Sequence, residues 1–210
     1  MKFACLPIKK EYYRIIASKI RQKNMAPIEQ YLKHLDNIFQ QEPLFFGGGK
    51  DEKGVPKASV MIYENVPEAG YITAITYGLS LVNHPDWTKG RPELCITVKS
   101  TDRNWGLVAS YLATSLRGDC PFGYGQTINF SDKVSEDSEM DAFFVFAPAI
   151  LKPEDYTEID IGLDYKININ GLYPMYADEL ETYDKIGFNK FWHHPNFDIH
   201  SVNREKITGE

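Results

Sequence analysis

The stretch Ile167–Lys190, ININGLYPMYADELETYDKIGFNK, decides how the rest of the chain is read. Ile167, Ile169, Tyr173 and Met175 favour an extended backbone, interrupted by Asn170-Gly171. Pro174 donates no hydrogen bond, so this strand is expected at a sheet edge, or to end there. The period then changes. Tyr176, Leu180 and Tyr183 fall at i, i+4 and i+7, one face of a helix. Asp178 and Glu179 sit in its first turn, where the helix dipole favours acids. Glu181 and Lys185 form an i,i+4 pair on the outer side, which marks such acids as surface residues. Gly187 is placed to stop the helix. A strand feeding directly into an amphipathic helix lays that helix across a sheet.

Working outward, Lys9–Gln22 reads as a basic amphipathic helix, better suited to packing on its own domain than to a membrane surface. Pro27–Gln40 is a second helix, with Pro27 at its first position and Ile28, Tyr31, Leu32, Leu35, Ile38 and Phe39 facing inward. Glu42–Lys57 holds Gly47-Gly48-Gly49 and reads as loop; without GxxxxGK[ST] spacing the glycines make no phosphate cradle. Lys57–Val66 and Tyr71–Tyr77 form an antiparallel hairpin. Glu93–Lys99 is a strand with Leu94, Ile96 and Val98 on one face and Cys95 on the other. Asn104–Arg117 is a helix with Trp105, Val108, Ala109, Leu112, Ala113 and Leu116 facing one way. Gln126–Phe130 is a short strand. Ala142–Ala147, AFFVFA, is a continuous apolar strand, expected to be central and buried on both faces. The order predicts an α+β (mixed α/β) domain, a largely antiparallel sheet covered by helices. The expected division is a helical extension over residues 1–26, a domain over 27–200, and a frayed polar tail over 201–210.

The 210 residues are 43% hydrophobic and carry a formal net charge of −6. No run of 18 apolar residues is present to cross a membrane. The start, MKFAC, is too short and too soon interrupted by Pro7 and Lys9 for a secretion leader. Three scattered cysteines point to reduced thiols and a cytoplasmic setting. Charge is uneven: residues 1–25 hold seven Lys/Arg and one acid, whereas residues 131–184 hold fourteen acids and three lysines. The acidic half argues against nucleic acid and suits a basic protein partner, or else ordinary solvated surface.

The search for catalytic chemistry returns little. His193 and His194 are adjacent and point about 100° apart on a helix, a poor start for a metal site. Cys120 is the more exposed cysteine candidate, but a nucleophile needs a nearby base. Ser80 lacks a GxSxG elbow. No cofactor motif and no metal-ligand spacing occur, so neither is expected. A hydrolase or transferase built on Cys120 or the His193–His200 cluster remains the alternative to a binding protein, and a structural module in a larger assembly is a third reading.

Four blocks, in order, resemble the suppressor of fused domain family. These are ITYGLS at Ile75–Ser80, ELCITVKSTDRNW at Glu93–Trp105, GQTINF at Gly125–Phe130 and GLYPMYADELETYDKIGFNKF at Gly171–Phe191. The resemblance extends over about Pro27–His200 and implies the same α+β fold. It implies a non-enzymatic protein-binding module: in animals the founding member clamps an extended peptide of a transcription factor, and single-domain bacterial relatives are inferred to act as immunity proteins. The animal clamp uses a tyrosine and an aspartate whose matches are Tyr111 and Gln126; the tyrosine is kept and the acid is not. Together with the acidic loop, this makes Tyr111, Gln126, Asp132, Glu136, Asp137 and Glu139 the candidate partner-binding residues. The expected role is that of a cytoplasmic bacterial immunity or regulatory protein that occupies a partner's surface.

Overall fold

The computed structural model describes residues 25–208. The basic segment Lys9–Gln22 lies outside them. Seven strands form one sheet: β1 (Leu44–Phe46), β2 (Ser59–Glu64), β3 (Ile72–Tyr77), β4 (Arg91–Val98), β5 (Thr127–Asn129), β6 (Ala142–Phe146) and β7 (Ile167–Met175). Their spatial order is β1-β2-β3-β4-β7-β6-β5. All neighbours are antiparallel except β4 and β7, which run parallel from Arg91↔Ile167 to Ile96↔Leu172. Among the described residues four α-helices accompany the sheet: α1 (Pro27–Phe39), α2 (Asn104–Ser115), the single turn α3 (Pro153–Tyr156) and α4 (Glu179–Trp192).

Strand alternation sorts side chains onto two faces. On one face Val60, Ile62, Ala74, Leu94, Ile96, Phe143, Val145 and Leu172 meet Trp105, Val108, Ala109, Leu112 and Ala113 of α2. On the other, Tyr31 and Leu35 of α1 cover Met61, Tyr63, Ile75, Cys95, Ile167 and Ile169. Further along that face, Phe191 of α4 and Phe197 cover Ala142, Phe144, Tyr173 and Met175. Each large side chain so removed from water stabilises the fold by roughly 1.5–3 kcal/mol.

Three sequence expectations need correction. β7 is central rather than an edge, flanked by β4 and β6; Pro174 is accommodated because pairing with β4 ends at Leu172 and the strand itself ends at Met175. β6 is buried on both faces but is second from the edge, with only β5 outside it. Leu44–Phe46, read as loop, forms the edge strand β1. Gly187 does end a helical stretch, as its position predicts: at φ 76° it leaves helical geometry, and a second short helix follows it through Trp192, the two together counted as α4.

The segment 202–207, expected as part of a frayed tail, is held in place. Val202, Arg204 and Ile207 are buried. Arg204 Nη1 and Nη2 donate to Glu179 Oε1 and Oε2 at 2.6 Å each. Glu179 also accepts from the backbone N–H of Tyr176 at 3.0 Å and of Ile207 at 2.7 Å. Glu179 is therefore no surface acid. A buried carboxylate is tolerated when it is paired and its remaining lone pairs are filled. Glu181, by contrast, lies outside and pairs with Lys185 at 2.7 Å, as its spacing predicts.

Candidate protein-interaction edge

β5 is an outermost strand, and its ladder to β6 pairs Thr127↔Phe144, Ile128↔Phe143 and Asn129↔Ala142. Val145 N–H donates to Gln126 O, and Phe130 N–H donates to Asp141 O. Residues 126, 128 and 130 thus turn their backbone inward, and by antiparallel alternation Thr127 and Asn129 turn theirs outward. Among the described residues no group bonds the N–H or C=O of Thr127 or Asn129. An unpaired edge of this kind is a template for another extended chain.

Tyr111 stands at one end of this edge. It projects from α2, is 58% exposed, and packs edge-on against Phe130 at 5.9 Å. Tyr111, Leu107, Phe130 and Val134 line a groove of about 190 Å³ whose polar rim is Asn104 and Lys133. The acidic loop follows directly. Asp132 and Glu139 are exposed. Lys133 holds Glu139 at 3.1 Å and Glu136 at 3.3 Å, so the loop is partly neutralised from within. Asp137 is exposed as well, but its carboxylate is engaged: it accepts from Ser100 Oγ, Ser135 Oγ and the Trp105 indole N–H. Burial alone would raise its pKa; the hydroxyls of Ser100 and Ser135 and the Trp105 indole N–H outweigh that and hold it below the ordinary carboxylate value.

Gln126 stands at the other end, about 13 Å away along four extended residues. Its Oε1 accepts from Gly123 N–H at 2.7 Å, and it lines a separate cleft with Trp87, Tyr124 and Asn170. The structure thus puts Tyr111 and Gln126 at opposite ends of one edge instead of in one pocket. Sequence reasoning did not find the outward backbone of Thr127 and Asn129. The alternation in QTINF was the available signal, but which parity faces out depends on the register with β6.

The alternative catalytic candidates do not converge. Burial pushes the Cys120 thiol up, and the Cys95 thiol up to about 12, which disfavours the reactive thiolate. His193 Nδ1 meets Asn189 O at 2.8 Å, His194 Nδ1 accepts from Asn196 N–H at 3.2 Å, and His200 Nδ1 meets Thr97 O at 3.1 Å. His193 and His194 bond their own stretch of backbone, and His200 bonds that of β4. Among the described residues no group of three His, Cys, Asp or Glu side chains is arranged to hold a metal ion. Among them, too, no helix is long and apolar enough to cross a membrane.

Two of the family-like sequence blocks meet at one buried carboxylate. Glu93, from ELCITVK, accepts from Thr76 Oγ1 at 2.7 Å, Gly78 N–H at 2.8 Å, Leu79 N–H at 3.3 Å, Ser80 N–H at 3.0 Å and Ser80 Oγ at 2.6 Å, all from ITYGLS. Burial pushes this carboxyl up, and the Ser80, Gly78 and Thr76 donors pull it back. Gly78 itself has φ 135°, and a Cβ there would lie 2.7 Å from Ala58 Cα, so the turn that presents its N–H to Glu93 requires glycine. The spacing T-x-G-x-S is what lets one loop aim its donors at one acid.

Comparisons with known proteins agree with this geometry. The family described as Suppressor of fused protein (SUFU) matches residues 54–205. A suppressor of fused homolog from Neisseria gonorrhoeae has a similar fold, with TM-score 0.64 and 15% identity over 87% of this chain and 97% of that one. The Sufu–Fu complex gives TM-score 0.55 at 14% identity over 86% of this chain and 91% of that chain. Drosophila Suppressor of Fused gives 0.56 at 15% identity over 85% of this chain, which spans 50% of that protein's length. A comparison with curated proteins returned no match. The length of the family match, across strands β2 to β7 and the acids Glu93 and Glu179, leaves one assignment: this chain belongs to the suppressor of fused family.

Proposed function

We propose that this chain is a non-enzymatic protein-binding module that captures an extended segment of another protein along β5, with Tyr111 and Gln126 flanking the bound strand. The observation that carries this reading is the outward-facing backbone of Thr127 and Asn129 on an outermost strand. Main-chain hydrogen bonds supply affinity in such an arrangement, and flanking side chains supply specificity. The exposed acids Asp132, Glu136 and Glu139 favour a basic partner; the internal bonds of Asp137 leave it the weakest member of the set. The acidic surface suits a bacterial cytoplasmic immunity or regulatory protein acting by surface occupation. The division into a basic extension over 1–26 and a binding domain from residue 27 belongs to the same proposal.

The test uses affinity capture from the source cells. Asn129→Pro removes one outward N–H and leaves the inner ladder in place, so it should release the partner while changing stability by less than about 1 kcal/mol. Charge reversal at Asp132, Glu136 and Glu139 should weaken capture at low salt more than at high salt. Retention of the same partner by both variants at every salt concentration would refute the proposal.

A further inference from the structure

The cleft beyond Gln126 is a built feature. It holds about 540 Å³, within the range of small-molecule sites. Its floor is Asn168 and Asn170, two residues apart on one face of β7 and so about 7 Å apart. Each asparagine ties a wall to that floor. Asn168 Nδ2 donates to Lys89 O at 2.6 Å, and Asn170 Nδ2 donates to Phe122 O at 2.8 Å. The wall at residue 90 approaches so closely that a Cβ on Gly90 would lie 2.8 Å from both Asn168 Nδ2 and Lys166 O. Trp87 is fixed by donation from Nε1 to Pro121 O at 2.8 Å. Tyr124, half-exposed, rests on Phe146 at 5.1 Å.

What the cleft offers is chemically specific. Gln126 spends its Oε1 on Gly123 N–H, and among the described residues its Nε2 has no partner. Asn170 spends Nδ2 on Phe122 O, and its Oδ1 has no partner among them. Two aromatic rings, one amide donor and one amide acceptor therefore line the same space. Among the described residues its charges are Asp86 and Lys89, one of each sign. Phosphate would need an excess of cations. A peptide strand would need alternating backbone groups, and the unused groups here are side-chain amides.

We propose that this cleft binds a neutral saccharide, one or two pyranose rings, with Trp87 and Tyr124 against the apolar ring faces and Gln126 Nε2 and Asn170 Oδ1 on neighbouring hydroxyls. The inference stands apart from the β5 reading, although Gln126 touches both regions.

The test titrates the full chain with N-acetylglucosamine and with maltose, reading tryptophan fluorescence and the NMR signals of the Gln126 and Asn170 side-chain amides. At least one sugar should give a saturating change. Gln126→Glu keeps the oxygen that accepts from Gly123 and exchanges the free donor for an acceptor; it should weaken binding about tenfold. Tyr124→Leu, at an exposed position, should weaken it as well, and Asn129→Pro should leave it unchanged. The proposal is overturned if neither sugar gives saturation up to about 50 mM, if Gln126→Glu and Tyr124→Leu both bind like the parent, or if trialanine or adenosine monophosphate moves these signals and the sugars do not.

Discussion

Glu93 and the β5 edge belong to one sheet and treat polar groups in opposite ways. At Glu93 a carboxylate lies fully inside the protein, and five donors from a single loop close around it. At β5 the backbone of Thr127 and Asn129 faces outward with no partner among the described residues. The first region is saturated and has nothing left to offer a partner. The second has unspent hydrogen bonds beside an exposed tyrosine. The comparison teaches that family-like blocks are put to different uses: ITYGLS and ELCITVK spend their polar groups on each other at Glu93, while GQTINF forms β5 and leaves outward backbone unspent.

The sharpest way to break this contrast is to empty the saturated region. Glu93→Ala strands several buried donors and leaves a void. It should cost at least about 4 kcal/mol, read by denaturant unfolding, or prevent folding altogether. A loss below about 1 kcal/mol would mean that the Thr76–Ser80 loop does not depend on this acid. Next comes Arg204→Ala, which leaves Glu179 buried without its cation. The expected loss is about 3–4 kcal/mol. It should be accompanied by faster amide exchange at Ile207, whose N–H is held by the same carboxylate.

The two regions also differ in how much could be read from the residues alone. The stripe on α2 and the split of β4 into Leu94/Ile96/Val98 against Cys95 are local patterns with the periods of helix and strand, and both appear in the core as expected. β1 is three residues between Pro43 and Gly47, too short for alternation to register. The central place of β7 depends on a parallel pairing across a long crossover, and no local pattern specifies the partner. The burial of Val202, Arg204 and Ile207 goes with Arg204 meeting Glu179, 25 positions earlier. In isolation Arg204 and Glu179 each read as polar surface. Tyr111 and Gln126 came from the family resemblance; that they lie at opposite ends of one edge required the sheet register.

A smaller effect tests the acidic loop between the two regions. Asp137 titrates below the ordinary value of 3.8 in the folded state. Its contribution to stability is therefore complete at neutral pH and is lost as pH falls through the usual carboxylate range toward that lower folded value. Asp137→Asn should cost about 1 kcal/mol at neutral pH and should flatten the acid limb of the stability profile. An unchanged acid limb would place Asp137 among the solvated acids of the loop.

The central claim is that a partner is held by the outward backbone of β5, and amide hydrogen exchange of the chain with and without its captured partner tests it most directly. Ile128 and Phe130 are bonded inward and should be slow in both states. Thr127 and Asn129 should exchange quickly alone and slowly in the complex, an every-second-residue pattern of new protection. If those two amides keep exchanging while protection appears over β1, α1 or α4 instead, the partner binds elsewhere and the account is wrong.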